Sequence, residues 1–427
     1  MLEHIALKNF KALRSAEIDL GMITALIGAN GTGKSSIIQA LAVLKQSVGA
    51  EELKLDGPHI SLGKYRDIVR NNKEREEVCI SIKKLISEPV EPIFKGNARF
   101  SYEAVFNKQG LRTHRCGIES GGEVEFEAEF VRQPATYMNV RPEKFEFNQV
   151  SFNIRSQPVI AVPFRVKSGG FPSESDEARM QYTIVGEALN KLFSSVQDTL
   201  QNTYYVPALR GFVEPSYTLV GQVQPDLSTG AGADLQARNV ASTLVYRRDL
   251  ESKVSDWTKR ITGTSIEAVV APGPKVIVEA VVGSRRTNII NEGFGTNQLV
   301  QTMLQLAISP SGSMISIEEP EIHIHPEAQS RLCKILVEVA KEEGKQIILT
   351  THSDHILTNL LNSVANKKLK AKDLAVYYFE KDRDRIRISL LAIDNRGQIK
   401  GGLKGFFEAS MVELEEYMKA ISQEKAK

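Results

Sequence analysis

The chain has 427 residues, 42% hydrophobic and 25% charged, the usage of an ordinary folded protein, which excludes a disordered, collagen-like or disulfide-scaffold class. Lys and Arg number 54 against 52 Asp and Glu, a net charge of +2, so no global basic excess announces nucleic-acid or anionic-membrane binding, and any such contact has to be local. Cys79, Cys116 and Cys333 are odd in number and lack CxxC spacing; with no signal peptide and no apolar run of ~18 residues, this leads us to expect a cytoplasmic protein that does not enter the membrane.

In chain order, Ile5, Leu7 and Phe10 alternate, Ile18 and Leu20 follow, and MITALIG from Met22 is an apolar run ending on glycine, so all three segments predict strands. GANGTGKS, Gly28–Ser35, then fits the pattern G-x-x-x-x-G-K-[ST] and leads into a helical stripe at Ile37, Ile38, Leu41, Leu44 and Val48. Strand, glycine loop and helix in that order give the pattern its mechanism. Backbone N–H groups at a helix N-terminus cradle β- and γ-phosphates, Lys34 adds a point charge, and Ser35 Oγ supplies a Mg²⁺ ligand.

From about Glu77 to Val166, short alternating segments (VCISIKKL, RFSYEAVF, EVEFEAEFV, KFEFNQVSFNI, VIAVPFRV) predict a meandering antiparallel sheet. Helices follow. Ile184 to Leu200 carries one stripe, and Val240, Leu244, Val245, Leu250, Val254, Trp257 and Ile261 make another, with YVPALRGFVEPSY between them. Each spans only a few turns, too short for coiled-coil arms. After Thr264, VVAPGPKVIVEAVV reads as strand, NEGFGTNQLV (Asn291–Val300) opens a helix over Gln298–Ile308, Met314–Ile317 is a strand, Pro326–Lys341 a helix, and QIILTTH a further strand. The fold expected is α/β, a P-loop ATPase head with an antiparallel β subdomain and a helical insertion: an N-terminal lobe over 1–170, the insertion over 171–264 and a C-terminal lobe over 265–427.

Three further features bear on chemistry. Glu318 and Glu319 end the Met314–Ile317 strand, where a first carboxylate can hold Mg²⁺ through water and a second can orient or deprotonate an attacking water, as ATP hydrolysis requires. His352 follows another apolar strand, placed to face a γ-phosphate or that water. Backbone donors of Gly293, Gly295 and Thr296, with Asn297, form a second phosphate-facing surface at the start of a helix. Other features have simpler accounts. His323 and His325 belong to a Pro-interrupted loop rather than a zinc site, Asp382 and Asp384 to a charged hairpin turn, and Lys367, Lys368, Lys370 and Lys372 to an exposed loop.

KNFKALRSAEIDLGMITALIGANGTGKSSII, GFGTNQLV, IEEPEIHIHP and TTHSDHIL together resemble the ABC-type ATPases of the RecF, SMC and OLD superfamily, most nearly the OLD-like branch of bacterial and archaeal ATPases, several of which serve in antiphage defence. The resemblance covers about 1–85 and 265–415, and DNRGQIKGGLKGFFEASMVELEEYM is similar to the tail of one such family. It implies ATP and Mg²⁺ as ligands, with Asn30, Gly31, Thr32, Gly33, Lys34, Ser35 and Ser36 as the nucleotide loop and Lys34 also assisting catalysis. It further implies Glu318 as the second metal-facing residue beside Ser35, Glu319 as the catalytic glutamate, His352 as the switch histidine, and Gly293, Gly295 and Asn297 as the signature. Glu318 replaces the usual Asp, and LGKYRDIVRN with Asp67 stands where a Q-loop glutamine is expected. The implied assembly is a homodimer, or a larger homo-oligomer built from dimers, acting as the ATPase or sensor subunit beside a separate effector protein. The alternative is a RecF/SMC-like DNA-binding protein of DNA repair or chromosome maintenance, in which ATP closes the dimer on duplex DNA.

Overall fold

In the computed structural model, the residues described are 1–50, 52–88, 97–120, 123–132, 136–141, 149–152, 176–221, 226–227, 233–383 and 385–401. The opening alternation forms β1 (Leu2–Phe10) and β2 (Leu13–Asp19), and the apolar run forms β3 (Ile23–Gly28), which the glycine loop joins to α1 (Lys34–Ser47). A short α2 (Tyr65–Ile68) precedes β4 (Val78–Ile86), β5 (Ala98–Asn107), β6 (Gly110–Ser120), β7 (Glu123–Arg132), β8 (Thr136–Arg141) and β9 (Gln149–Phe152). Then come α3 (Asp176–Gln201), β10 (Thr203–Val206), β11 (Tyr217–Thr218), α4 (Ala233–Tyr246) and α5 (Arg248–Thr262). The C-terminal part holds β12 (Ser265–Ala271), β13 (Lys275–Val282), β14 (Arg285–Asn288), α6 (Phe294–Ile308), β15 (Met314–Glu318), α7 (Pro326–Glu342), β16 (Gln346–Thr351), α8 (Asp354–Ala365), β17 (Leu374–Asp382) and β18 (Arg385–Leu390).

A sheet ordered β10-β15-β16-β3-β17-β18, parallel except for β18, divides the molecule. Its central strands are apolar on both faces, as a strand covered on both sides must be. Leu26 and Ile348 point into a core shared with the antiparallel sheet and α1, whereas Ile23, Ala25, Ile27, Ile347 and Leu349 point into the core formed with α4 to α8. The antiparallel sheet runs β2-β1-β4-β5-β6-β7-β8-β9, a meander apart from the excursion between β2 and β4. α3 packs on it through Phe193, whose ring lies 5.6 Å from Phe100 and 5.7 Å from Tyr102.

Three differences from the sequence reading have physical causes. The second helical stripe is two helices: Arg247, at φ −118° and ψ 76°, interrupts it and binds Asp249, and the step from Val245 to Leu250 is too long for one helical face. The 171–264 segment also supplies β10, which lies parallel to β15 in the central sheet, and β11, which pairs β13. Four parallel-sheet residues inside otherwise helical text give too short a pattern for periodicity to identify. Finally, α6 begins at Phe294, before Gln298, so Gly295, Thr296 and Asn297 lie in its first turn. The VIAVPFRV strand, Asp384 and most of the C-terminal segment similar to a family tail lie outside the described residues.

Candidate functional site

Because β3, β15 and β16 are neighbours and parallel, their C-terminal ends open on one edge of the sheet, the edge at which α/β folds place ligands. The glycine loop leaves β3, Glu318 ends β15 and His352 follows β16. Backbone geometry explains the glycines: Gly28, Gly31 and Gly33 have φ of 137°, 74° and 85°, which L side chains rarely adopt. A Cβ at Gly28 would also lie 2.1 Å from the Phe379 carbonyl oxygen. Thr32 Oγ1 donates to Ala29 O at 2.8 Å and pins the loop, while Asn30 and Gly31 stay exposed and Ser36 is buried in α1.

Lys34 is folded back over the loop, donating to Gly28 O and Ala29 O, each at 2.8 Å. Burial lowers its pKa to about 8, against the opposing pull of Glu319 and Glu321. Glu318 is buried, and burial raises its pKa, opposed by donors on Ala208, Tyr205 and Ser35. Its Oε1 has no hydrogen-bond partner. A buried carboxyl oxygen with spare capacity, on a side chain that also accepts from the Ser35 hydroxyl, gives a donor set suited to a hard cation such as Mg²⁺. Among the described residues, no group of three or more His, Cys, Asp and Glu side chains forms an all-protein metal site.

Glu319 and His352 meet, with Oε1 3.3 Å from Nε2 and both side chains about one-third exposed at 29% and 30%. Glu319 holds a φ of 43°, strained for a residue with a side chain. Its N–H donates to Thr350 O at 3.0 Å. Glu321 ties the two loops: its Oε1 accepts from Thr351 Oγ1 at 2.6 Å and from the His352 N–H at 2.8 Å.

Sequence reasoning missed Arg210. It lies just beyond β10, is 5% exposed, and donates to the carbonyls of Pro207 (2.8 Å), Glu318 (2.9 Å) and Glu319 (3.1 Å). Burial lowers its pKa to about 10, so it stays charged at neutral pH. The available signal was an arginine inside the apolar text YVPALRGF, where a charge needs a partner.

At the start of α6, a cavity of about 410 Å³ is lined by Gly293, Phe294, Gly295, His323, His325 and Arg331 among others, and by none of residues 28–36. Asn297 requires a correction. It is 4% exposed and turned inward, accepting from the Phe212 N–H at 2.6 Å and donating to Phe212 O at 2.9 Å, so it is not free to face a phosphate. Thr296 and Asn297 N–H groups also bond to Gly293 O, leaving Phe294 and Gly295 as the donors of the open helix end. Gly295 has a reason within its own chain: a Cβ there would lie 2.5 Å from His323 O.

The remaining residues have plain accounts. His325 caps α7 by accepting from the Glu327 N–H at 3.3 Å, and the His323 ring lies 5.6 Å from that of Phe294. Asp382 is exposed in the β17–β18 hairpin, and Asp67 accepts from the Lys64 N–H at 2.8 Å within a capping box at α2. No helix among the described residues is long and apolar enough to cross a membrane.

Residues 1–119 and 173–357 match the AAA ATPase domain family, so the chain belongs to that family. The match includes 173–264, leaves out 120–172 and stops at 357, whereas the resemblance read from motifs lay at the two ends of the chain. No curated protein matches the chain. It is similar to a solved Smc head bound to the C-winged helix domain of ScpA (15% identity, 92% of this chain and 98% of that one, TM-score 0.47). It is also similar to the Smc head with an extended coiled coil bound to the C-terminal domain of ScpA from Pyrococcus furiosus (13%, 98% and 99%, TM-score 0.44). A third is the SMC head domain from Thermotoga maritima (14%, 92% and 99%, TM-score 0.40).

Proposed function

We propose that this AAA-family protein binds and hydrolyses ATP in a composite site of the ABC type, completed by the α6 terminus of a second copy. The observation that carries this reading is the convergence of the glycine loop, Glu318, Glu319 and His352 at neighbouring parallel strand ends. The loop and the N-terminus of α1 would receive the β- and γ-phosphates, with Lys34 exchanging its two carbonyl partners for phosphate oxygens. Ser35 and Glu318 would hold Mg²⁺, which when bound neutralises charge developing on the phosphates. Glu319 takes a proton from a water as its oxygen bonds to the γ-phosphorus and the bond to the β–γ bridging oxygen breaks. His352, 3.3 Å away, orients that carboxylate.

The second copy enters for a geometric reason. The cavity at the start of α6 excludes the glycine loop of its own chain, yet the N–H groups of Phe294 and Gly295 make it an anion site. ATP turnover by the purified chain, lost in Lys34→Ala and in Glu319→Gln, tests the chemistry. Undiminished hydrolysis by both variants would overturn it.

For the cellular role, we propose an ATPase or sensor subunit of an antiphage system that works with a separate effector. The support is the resemblance of EEPEIHIHP and the C-terminal segment to the OLD-like branch. Recovery of the tagged protein from its own cells would reveal a stable complex with the product of a neighbouring gene. Salt-sensitive retention of DNA with no protein partner would replace this role with that of a DNA clamp.

A further inference from the structure

We propose that Arg210 is the positioning residue for Glu319, holding its carbonyl from one side while the signature helix α6 holds Arg210 in place; this rests on the ATPase reading. Glu319 sits in a left-handed conformation that costs free energy, and such a residue persists only where its surroundings over-determine it. One restraint is its N–H bond to Thr350 on β16. A second is the Ile322 N–H, which donates to the Glu319 carbonyl at 3.2 Å, and a third is Arg210, whose Nη1 and Nη2 bind the consecutive carbonyls of Glu318 and Glu319 and so tie both peptide planes that flank the Glu319 Cα.

The arginine is itself anchored. Gly211 follows at φ 102° and donates its N–H to Gln301 Oε1 at 3.1 Å, and Phe212 is clamped at both its N–H and its carbonyl by Asn297. A Cβ on Gly211 would come within 2.7 Å of Asn297 Oδ1, so the segment lies tightly against α6. Asn297 therefore acts as a strut between the signature helix and the residue that holds Glu319.

The planar fork of arginine is what spans two carbonyls; a lysine keeps the charge but not the paired geometry. Arg210→Lys should keep ATP affinity within about threefold of wild type, because no bond runs from Arg210 to residues 28–36, yet lower kcat by about tenfold to 10²-fold, as misplacement of a reacting group does. In a Glu319→Gln background the same substitution should change residual single-turnover hydrolysis by less than about twofold, since Arg210 acts through the carboxylate already removed. A folded, ATP-binding Arg210→Lys protein with wild-type kcat overturns the assignment, as does a full additional loss in the Glu319→Gln background. If Arg210→Lys fails to fold, Asn297→Asp, which keeps the acceptor for the Phe212 N–H but loses the donor to its carbonyl, carries the same comparison with the same two outcomes. Loss of activity in Glu319→Gln with none in Arg210→Lys sinks this inference alone, whereas no loss in Glu319→Gln sinks the assignment of Glu319 as the base, on which this inference rests, and no loss in Lys34→Ala as well sinks the ATPase reading beneath both.

Discussion

Gly293 allows the α6 terminus to be perturbed without disturbing the fold. It is the N-cap of α6 at φ −56° and ψ 139°, and a Cβ built there meets nothing within 4 Å. Asp fits sterically, and a carboxylate is a preferred cap; interaction with the helix dipole adds about 0.3–1 kcal/mol of stability. Gly293→Asp should therefore fold at least as stably as wild type and bind ATP in its own glycine loop normally. In the assembled site, the new carboxylate would stand where a partner's phosphate must accept from the Phe294 and Gly295 N–H groups. At about 4 Å and an effective dielectric of about 20, repulsion between unit charges is about 4 kcal/mol, a factor of about 10³. Steady-state phosphate release at saturating ATP, with thermal melting and nucleotide affinity measured on the same protein, should show kcat lower by 10² or more. A well-folded Gly293→Asp protein hydrolysing ATP at the wild-type rate would refute the argument that this helix end completes the site.

Gly295→Ala, by contrast, should lower stability by about 1–3 kcal/mol in denaturant titrations, because the added Cβ meets His323 O at 2.5 Å and Ile324 Cγ2 at 2.6 Å; an unchanged midpoint would show that the loop yields freely. Lys34→Ala should weaken ATP binding at least tenfold by equilibrium fluorescence, having lost the cation of the glycine loop, and wild-type affinity would remove Lys34 from the phosphates. Glu319→Gln should bind ATP yet turn over about 10²-fold more slowly, and unchanged phosphate release would move the base elsewhere. His114, fully buried beside Tyr102 and Phe193, has its pKa lowered to about 3 by burial, so below pH 6.5 the unfolded chain takes up a proton that the folded chain does not. Stability should fall by roughly 1.4 kcal/mol per pH unit from about 6.5 toward about 3 from this group. His114→Phe should flatten that part of the profile in chemical denaturation, and an unaltered slope would discount the histidine.

The glycine loop was legible because its constraints are local: an apolar strand, glycines at positive φ and a helix lie within one short stretch. Glu319 and His352 were legible as strand-end residues for the same reason, although their 3.3 Å approach depends on the pairing of β15 with β16. Arg210 was not legible, because its partners lie 108 and 109 residues away and reach it only through the parallel pairing of β10 with β15. Asn297 was misread because a polar residue in a glycine-led helix start has the same sequence appearance whether it turns outward or inward. The early start of α6 and the position of Phe212 turn it inward, and neither is encoded nearby. The break at Arg247 left a trace in the apolar spacing, which a single stripe cannot accommodate.

The central claim, a site shared between two copies, is tested most directly by mixing Lys34→Ala subunits, which keep an intact α6 terminus, with Gly293→Asp subunits, which keep an intact glycine loop. Each variant alone should be inactive, while a mixture shown by native mass spectrometry to contain mixed dimers should regain one composite site and a measurable part of wild-type ATP turnover. Mixed dimers as inactive as their components would contradict the account.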